Sequence, residues 1–283
     1  MSEEKASELV TQFNALRVVS AKYVPWHDRR CVASASSPGS FKLTATTKPE
    51  EIPVPGPYPI LRHQPTEAGY LDSGADAVRV MRAALAADGF EFLPDGRVLD
   101  FGCYTGRLLR WFLNEARAGV EFWGVDIDAY AIEWANSSMN PPFHFAVTTT
   151  EPHLPFPDHY FNLAYAGSVF THMNDLCMAW LLELRRLLRP GGRAYLTFND
   201  TVSARVVSTK YPGWYDQEKL EEATLSLGKT LEEVNFLCVG QSPYCTIFYN
   251  REFLSARLRE LFDLKGIQDE AFGWQSAYLV QSA

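Results

Sequence analysis

The sequence predicts an α/β protein built on a doubly wound, mostly parallel sheet. From about residue 71, short apolar runs of strand length alternate with segments whose apolar residues recur at helical spacing. Glycines and prolines separate these segments, as Pro190-Gly191-Gly192 does before the run RAYLTF. Strands that alternate with helices pair in parallel, and helices cover both faces of the sheet.

The predicted elements follow one another in this order. A helix in DAVRVMRAALAADG precedes the strand RVLDFG, and GRLLRWFLNEARAG is the helix before the strand EFWGVDID. The helix AYAIEWANSSM, the strands FHFAVT and FNLAYAGS, the helix LCMAWLLELRRLL and the strand RAYLTF come next. NREFLSARLRELF predicts a last helix, because Asn250 is a good N-cap and Leu254, Leu258 and Leu261 share a face. DLKGI and SAYLVQ would be the closing pair of strands, which gives an expected total of seven.

Two segments fall outside this regular pattern. The alternate prolines of EIPVPGPYPI forbid helix, so the N-terminal region predicts an extended strap after a short helix near Glu3–Leu16. The polar insert after RAYLTF predicts a helical cap, with helices near 217–225 and 230–236. The expected parts are an N-terminal extension (1–70), a core (71–200), a cap on the substrate side (201–249) and a final helix and strand pair (250–283).

Composition limits the classes of partner. The net charge of −8 argues against a broad phosphate-binding surface, and hence against nucleic acid. The five cysteines form no C-x-x-C pair, and no His/Asp/Glu cluster has metal-ligand spacing, so no metal is expected. The acidic N-terminus lacks the apolar run of a signal peptide, and no apolar stretch is of membrane-spanning length. We therefore expect a cytoplasmic protein without a membrane partner; its oligomeric state stays open.

The stretch VLDFGCYTGRLLR carries the first functional signal. In a doubly wound sheet, ligands bind beyond the carboxyl ends of the strands, and this turn follows the first strand. Gly102 and Gly106 occupy the first and third positions of a G-x-G-x-G pattern, where small residues let backbone N–H groups approach a ligand. A dinucleotide site needs G-x-G-x-x-G, but Tyr104 and Arg107 replace two of those glycines. A nicotinamide-dependent oxidoreductase is therefore a less favoured alternative.

Together with Asp100, this turn resembles the first motif of class I S-adenosylmethionine-dependent methyltransferases. Three further stretches resemble later motifs of that family: Asp126 at the end of EFWGVDID, the segment LPFPDHYFNLAYAGSVFTHM, and LLRPGGRAYLTF. Each is weak alone, but the four occur in the family's order. The resemblance covers about residues 71–200 and 250–283 and implies the Rossmann-like methyltransferase fold. Its wording is similar to bacterial saccharide and secondary-metabolite methyltransferases, which act on small molecules.

The resemblance implies S-adenosylmethionine as cofactor and S-adenosylhomocysteine as product. Asp126 would hold the ribose hydroxyls and Ile127 would pack on the adenine. A polar residue of the family that meets the adenine amine, usually an aspartate, corresponds to Thr150 here, beside Glu151. The remaining assignments are the buried acid and loop around the amino-acid moiety (Asp100, Gly102, Cys103, Tyr104 and Gly106) and the residues bordering the methyl group (Gly167 and Ser168).

His172 in SVFTHM is the candidate catalytic residue. An imidazole that titrates near neutrality suits a general base, which is needed only if the acceptor must lose a proton. The alternative is a histidine that packs locally at the entry of a helix. Asn140-Pro141-Pro142-Phe143 repeats a signature of amino-group methyltransferases, but it precedes the third strand instead of following the fourth. We therefore expect O-methylation of a small polar metabolite, a saccharide or natural product; the alternative is a non-catalytic regulatory protein that binds S-adenosylmethionine.

Overall fold

The computed structural model describes residues 48–56, 66–173, 176–211, 215–239 and 245–283. They form two compact units, Met1–Asp76 with Phe92–Pro157, and Ala77–Glu91 with Asp158–Ala283. The helix expected near Glu3–Leu16 lies outside the described residues. Helix α1 (Glu67–Ala87) contributes to both units and begins earlier than the segment predicted for it. Within the described residues, no helix combines the length and apolar character needed to cross a membrane.

The first unit contains three parallel strands in the order β3-β2-β1. They are β1 (Arg97–Phe101), β2 (Glu121–Asp126) and β3 (His144–Val147), with helices α2 (Leu113–Arg117) and α3 (Ala129–Met139). The parallel register sets Phe101 of β1 beside Val125 of β2, and Asp126 beside Val147 of β3. The carboxyl ends of the three strands therefore meet at one edge of the sheet.

Aromatic side chains fill the core of this unit. The rings of Phe112 and Phe122 stack with centroids 5.1 Å apart, and Phe143 meets Phe122 edge-on at 6.0 Å. All three are buried. Such rings bury large apolar areas and prefer offset or edge-to-face contact, which fixes the helices against the strands. Asp128 begins α3, because its carboxylate accepts hydrogen bonds from the backbone N–H groups of Tyr130 and Ala131.

The helix that follows β1 differs from the prediction. It was expected to begin near Thr105, but turns occupy this region and lead into a 3-10 helix at Leu109–Phe112, with α2 only afterwards. Gly106 has a φ of 71°, and a right-handed helix cannot run through a residue in the left-handed region. A side chain at position 106 would also meet the sulfur of Met139 at 2.8 Å. The loop is therefore longer than the sequence pattern suggested.

The second unit combines parallel and antiparallel pairing around one long strand. β5 (Leu188–Asp200) runs parallel to β4 (Phe161–Ala166) and β7 (Thr246–Tyr249), and antiparallel to β9 (Gln275–Gln281). β6 (Phe236–Val239) pairs with β7, and β8 (Asp263–Phe272) pairs with β9. The helices are α4 (Cys177–Leu187), α5 (Thr201–Lys210), α6 (Tyr215–Leu227) and α7 (Arg251–Leu261). Strands β1 to β5, β8 and β9 are the seven that the sequence predicts.

The cap contains more strand and less helix than expected. Its helix predicted at 217–225 is part of α6, but the one predicted at 230–236 is a single 3-10 turn at Leu231–Glu233. Thr230 and Glu233 form a capping box around that turn. From Phe236 onward the side chains alternate between exposed and buried, which is the period of a strand. The prediction of a second helix was wrong because two acidic residues were taken as the start of a longer helix.

Asp200 joins four elements of the second unit. Its side chain is fully buried and caps α5 by accepting hydrogen bonds from the backbone N–H groups of Val202 and Ser203. The Tyr278 hydroxyl of β9 and the Arg251 guanidinium of α7 each donate to it at 2.7 Å. A buried carboxylate is costly unless it is paired and hydrogen-bonded, and these donors meet that need. The cap helix α5 is thereby anchored to the end of β5.

Gly124 in β2 allows a stability prediction. A Cβ at this position would lie 2.7 Å from Cys103 Sγ and 2.8 Å from Leu109 Cδ1. Overpacking of this kind costs about 1–3 kcal/mol, so we expect Gly124→Ala to lower the free energy of unfolding by that amount in urea denaturation. Gly266→Ala is the control, because nothing lies within 4 Å of its Cβ. Equal stability of the two variants would contradict the described packing of β2.

Candidate functional site

The loop between β1 and α2 has an unusual backbone. Gly102, Tyr104 and Gly106 have φ angles of 81°, 49° and 71°. The N–H groups of Gly102 and Cys103 donate to the carbonyl of Val125 in β2 at 2.8 and 3.0 Å. A left-handed conformation at a non-glycine residue costs about 1 kcal/mol or more and persists only where the surroundings enforce it. Tyr104 is thus held in a strained position at the carboxyl end of β1.

Asp126 provides that enforcement from the end of β2. Its Oδ2 accepts the N–H of Tyr104 at 2.8 Å, and its Oδ1 accepts the N–H of Asp128 at 2.8 Å. Burial raises the pKa of the Asp126 carboxyl, while these two hydrogen bonds act in the opposite direction. A carboxylate offers about four acceptor sites, so capacity remains for two further donors. The group is fixed in orientation and still able to bind a ligand with paired hydroxyls.

Asp100 and Cys103 lie buried beside this loop. Burial raises the pKa of the Cys103 thiol well above its ordinary value, and the nearby Asp100 and Asp126 carboxylates raise it further. The thiol is therefore protonated at neutral pH, and only a thiolate is a good nucleophile. Cys103 contributes its backbone and its packing to the site, and no covalent chemistry.

Three predicted residues are exposed at the same edge of the sheet. Ile127 directly follows Asp126 and is 62% exposed, which is high for a large apolar side chain. Thr150 and Glu151 are exposed in the loop after β3, where the Glu151 N–H donates to Thr149 Oγ1 at 3.2 Å. The first unit thus brings together an apolar surface and a fixed carboxylate, with polar side chains in the loop after the neighbouring strand.

In the second unit, a ring of hydrogen bonds holds the residues after β4. Gly167 is followed by Ser168, which has a φ of 61°. The Ser168 N–H donates to Thr197 Oγ1 at 2.7 Å, Thr197 Oγ1 donates to Gln275 Oε1 at 2.7 Å, and Gln275 Nε2 donates to Ser168 Oγ at 2.8 Å. The sequence analysis missed Thr197 and Gln275, because they lie far from Ser168 along the chain.

His172 lies at the end of a 3-10 turn that the cap holds in place. Its Nδ1 is 2.8 Å from the carbonyl oxygen of Cys245, which only accepts hydrogen bonds. In the neutral imidazole, Nδ1 therefore carries the proton and Nε2 carries the lone pair. The Tyr249 hydroxyl of β7 also donates to the carbonyl of Met173, at 3.2 Å. No local sequence pattern pointed to Cys245 or Tyr249, since both contacts join distant segments.

Comparison with known sequences gives one family match and one partial relative. The profile of a family described as "Methyltransferase domain" matches residues 75–237, which is more than half of the chain. The ubiquinone/menaquinone biosynthesis C-methyltransferase UbiE of Burkholderia mallei is 31% identical over 105 residues. That alignment covers 35% of this chain and 42% of the relative, so the chain spans less than half the length of the relative it matches.

Solved structures of similar fold include three with high coverage. The PH0226 protein from Pyrococcus horikoshii OT3 has a TM-score of 0.53 at 15% identity, over 81% of this chain and 97% of that one. A S-adenosylmethionine-dependent methyltransferase of Clostridium acetobutylicum ATCC 824 has 0.51 at 14%, over 73% and 91%. Magnesium protoporphyrin IX methyltransferase of Synechocystis PCC 6803, crystallised with S-adenosylhomocysteine, has 0.50 at 16%, over 77% and 88%.

These likenesses confirm the fold class that the sequence predicts, a doubly wound, mostly parallel sheet of the Rossmann-like methyltransferase type. The profile match adds the family, because it spans the loop after β1 and continues beyond the long strand β5. The chain belongs to the methyltransferase-domain family.

Proposed function

We propose that this methyltransferase takes its methyl group from S-adenosylmethionine and transfers it to a hydroxyl of a small polar metabolite, a saccharide or a natural product. The observation that carries the cofactor assignment is the Asp126 carboxylate, held by the N–H groups of Tyr104 and Asp128. Adjacent ribose hydroxyls are suited to such a carboxylate, because one group can accept both of their protons. When bound, the cofactor supplies a methyl group activated by a sulfonium.

The other residues of the first unit fit the same molecule. The exposed Ile127 offers an apolar surface for the adenine, and Thr150 and Glu151 offer polar atoms for its amine. The Gly102–Gly106 loop presents its backbone to the amino-acid moiety, because two of its residues have no side chain. Gly167 and Ser168 border the methyl group in this assignment.

A cavity in the cap supports a polar acceptor. It has a volume of about 250 Å³ and lies between α5 and α6. Apolar atoms of Ala204, Leu220 and Leu231 form its floor. The rest of its lining is rich in hydroxyl and charged groups, which suit a polyhydroxylated molecule. These residues are Thr201, Arg205, Ser208, Thr209, Glu221, Thr224, Thr230 and Glu232.

His172 is the proposed general base. Methyl transfer is an in-line displacement, for which correct orientation can supply about 7–11 kcal/mol. A hydroxyl acceptor must also lose a proton, and the hydrogen bond from Nδ1 to Cys245 leaves the lone pair of the neutral ring on Nε2. His172 follows β4 by only a short turn, in the part of the chain that carries Gly167 and Ser168.

C-methylation is the second candidate. The local identity with the C-methyltransferase UbiE favours it, although the match covers only 42% of that protein. Incubation of the protein with S-adenosylmethionine and a panel of saccharides, phenols and activated carbon acids separates the two, because mass spectrometry of the product locates the methyl group on oxygen or on carbon.

Asp126→Ala tests the cofactor site. We expect its affinity for S-adenosylhomocysteine, measured by isothermal titration calorimetry, to fall at least tenfold, or about 1.4 kcal/mol, because the ribose loses its acceptor. Asp158→Ala is the matched control, since this exposed carboxylate pairs only with Arg186 among its printed ion pairs on the surface. Unchanged affinity in Asp126→Ala would remove the ribose assignment.

Tyr104→Gly tests what the loop requires at its middle position. The hydrogen bond to Asp126 comes from the backbone of residue 104, and glycine relieves the strain of a φ of 49°. We expect the affinity for S-adenosylhomocysteine to stay within about tenfold of the wild type. Tyr104→Val keeps a side chain that disfavours this φ, so it should bind more weakly than Tyr104→Gly. Complete loss of binding in Tyr104→Gly would instead show that the ring itself builds the site.

His172→Ala tests the proposed base. With a hydroxyl acceptor, we expect turnover at saturating cofactor to fall about 10²–10⁴-fold, because proton removal is lost. Calorimetry should give an unchanged affinity for S-adenosylhomocysteine. His159→Asn is the control; His159 has a φ of 58°, which asparagine tolerates, and its Nδ1 meets the carbonyl of Leu188. Full turnover in His172→Ala would exclude the base role.

A further inference from the structure

A buried hydrogen bond ties helix α1 to the Gly102–Gly106 loop. The Tyr70 hydroxyl lies 3.0 Å from Thr105 Oγ1 and 3.4 Å from the Thr105 carbonyl oxygen. Both side chains are buried. Thr105 lies between Tyr104 and Gly106, whose φ angles are both positive. The contact therefore acts on the strained middle of the loop, and none of the sequence motifs included Tyr70.

Arg110 connects Tyr70 to the N-terminal strap, which we define as residues 48–56. The guanidinium carbon of Arg110 lies 5.5 Å from the centre of the Tyr70 ring. Its Nε donates to the carbonyl of Pro49 at 3.3 Å, and its Nη2 donates to the carbonyls of Ile52 and Pro53. The strap thus ends on a side chain that is itself packed on Tyr70.

This arrangement solves an electrostatic problem. Arg110 is only 1% exposed, and burial lowers the pKa of its guanidinium, while the nearby Tyr70 and Glu50 act in the opposite direction. A buried cation is costly without partners, and here strap carbonyls and the negative face of an aromatic ring surround it. The cation needs the strap in place, and its position in turn fixes the Tyr70 ring.

The residues next to Tyr70 also contact the segment after the loop. A Cβ on Gly74 would lie 2.7 Å from the carbonyl oxygen of Arg107, so α1 and this backbone are in close contact. Arg107 Nη1 donates to Ser73 Oγ at 3.1 Å. The start of α1 therefore follows the loop closely, and a shift of one requires a shift of the other.

We propose that Tyr70 is a positioning residue for cofactor binding, and that through Arg110 it couples the order of the strap to the conformation of the Gly102–Gly106 loop. Tyr70 touches no ligand in this role, which rests on the proposed function of the loop as the S-adenosylmethionine site. Coupling between two sites is reciprocal, so a ligand that fixes the loop must also stabilise the strap. The strap would thus report on the cofactor site without forming part of it.

Tyr70→Phe is the direct test. The variant keeps the ring under Arg110 and removes only the hydroxyl that meets Thr105. One buried hydrogen bond corresponds to about 2–10-fold in affinity, and we expect the Kd for S-adenosylhomocysteine to rise by that factor. Turnover at saturating cofactor should change by less than about twofold, because the loop is then held by the ligand. Tyr195→Phe is the matched control, since the described residues give its buried hydroxyl no hydrogen-bond partner.

Hydrogen exchange of the strap provides a readout that a merely structural role would not move. In the wild type, saturating S-adenosylhomocysteine should slow amide exchange in residues 48–56. In Tyr70→Phe that ligand-dependent slowing should be largely lost, even where the thermal unfolding midpoint without ligand is unchanged. Thr105→Val removes the same pair of hydroxyls from the other side. It should shift the Kd in the same direction, and the double variant should be no weaker than the weaker single variant.

The outcomes separate this proposal from the proposed function. If the wild type fails to bind S-adenosylhomocysteine, the proposed function falls and the coupling falls with it. If the wild type binds but Tyr70→Phe binds equally well and keeps the slowed exchange of the strap, only the positioning role of Tyr70 is overturned. If Tyr70→Phe does not fold, Thr105→Val decides by the same two measurements.

Discussion

The site of the first unit depends on a single carboxylate with two backbone donors. Asp126 accepts the N–H of Tyr104 from the loop after β1 and the N–H of Asp128 at the start of α3. Two segments that leave neighbouring strands are thereby locked to one group. The parallel register makes this possible, because it sets the ends of β1 and β2 side by side. Without that carboxylate, the left-handed Tyr104 would lose the partner that holds it.

Local signals in the sequence were sufficient for the fold and for the first half of the site. The apolar runs of β1 and β2 have strand length, and the acid at the end of β2 is visible from the pattern alone. What could not be predicted are contacts between distant segments, such as those of Arg110 with the strap and of Gln275 with Ser168. The hairpin β6–β7 was missed for a related reason: four-residue strands gain their stability from pairing, and their own sequence carries a weak signal.

Strain and buried charge concentrate where the residues assigned to the cofactor lie. Tyr104 and Ser168 both have left-handed backbones, and each is held by a hydrogen bond from its own N–H group to a side chain of a neighbouring strand. Elsewhere the fold satisfies ordinary rules, with capped helices and stacked rings in the core. Such concentration is expected when a loop must present its backbone to a ligand, because the required conformations are poor ones for the isolated chain. The surrounding strands supply the free energy that maintains them.

The contact between His172 and the carbonyl of Cys245 has a consequence for how such an enzyme can diverge. A carbonyl oxygen is present whatever the side chain, so the tautomer of His172 does not depend on the identity of residue 245. The side chains of the cap are therefore free to vary as long as β7 stays in place. Acceptor preference and proton removal can then change independently, and a library of cap sequences could explore new acceptors without resetting the chemistry of the imidazole.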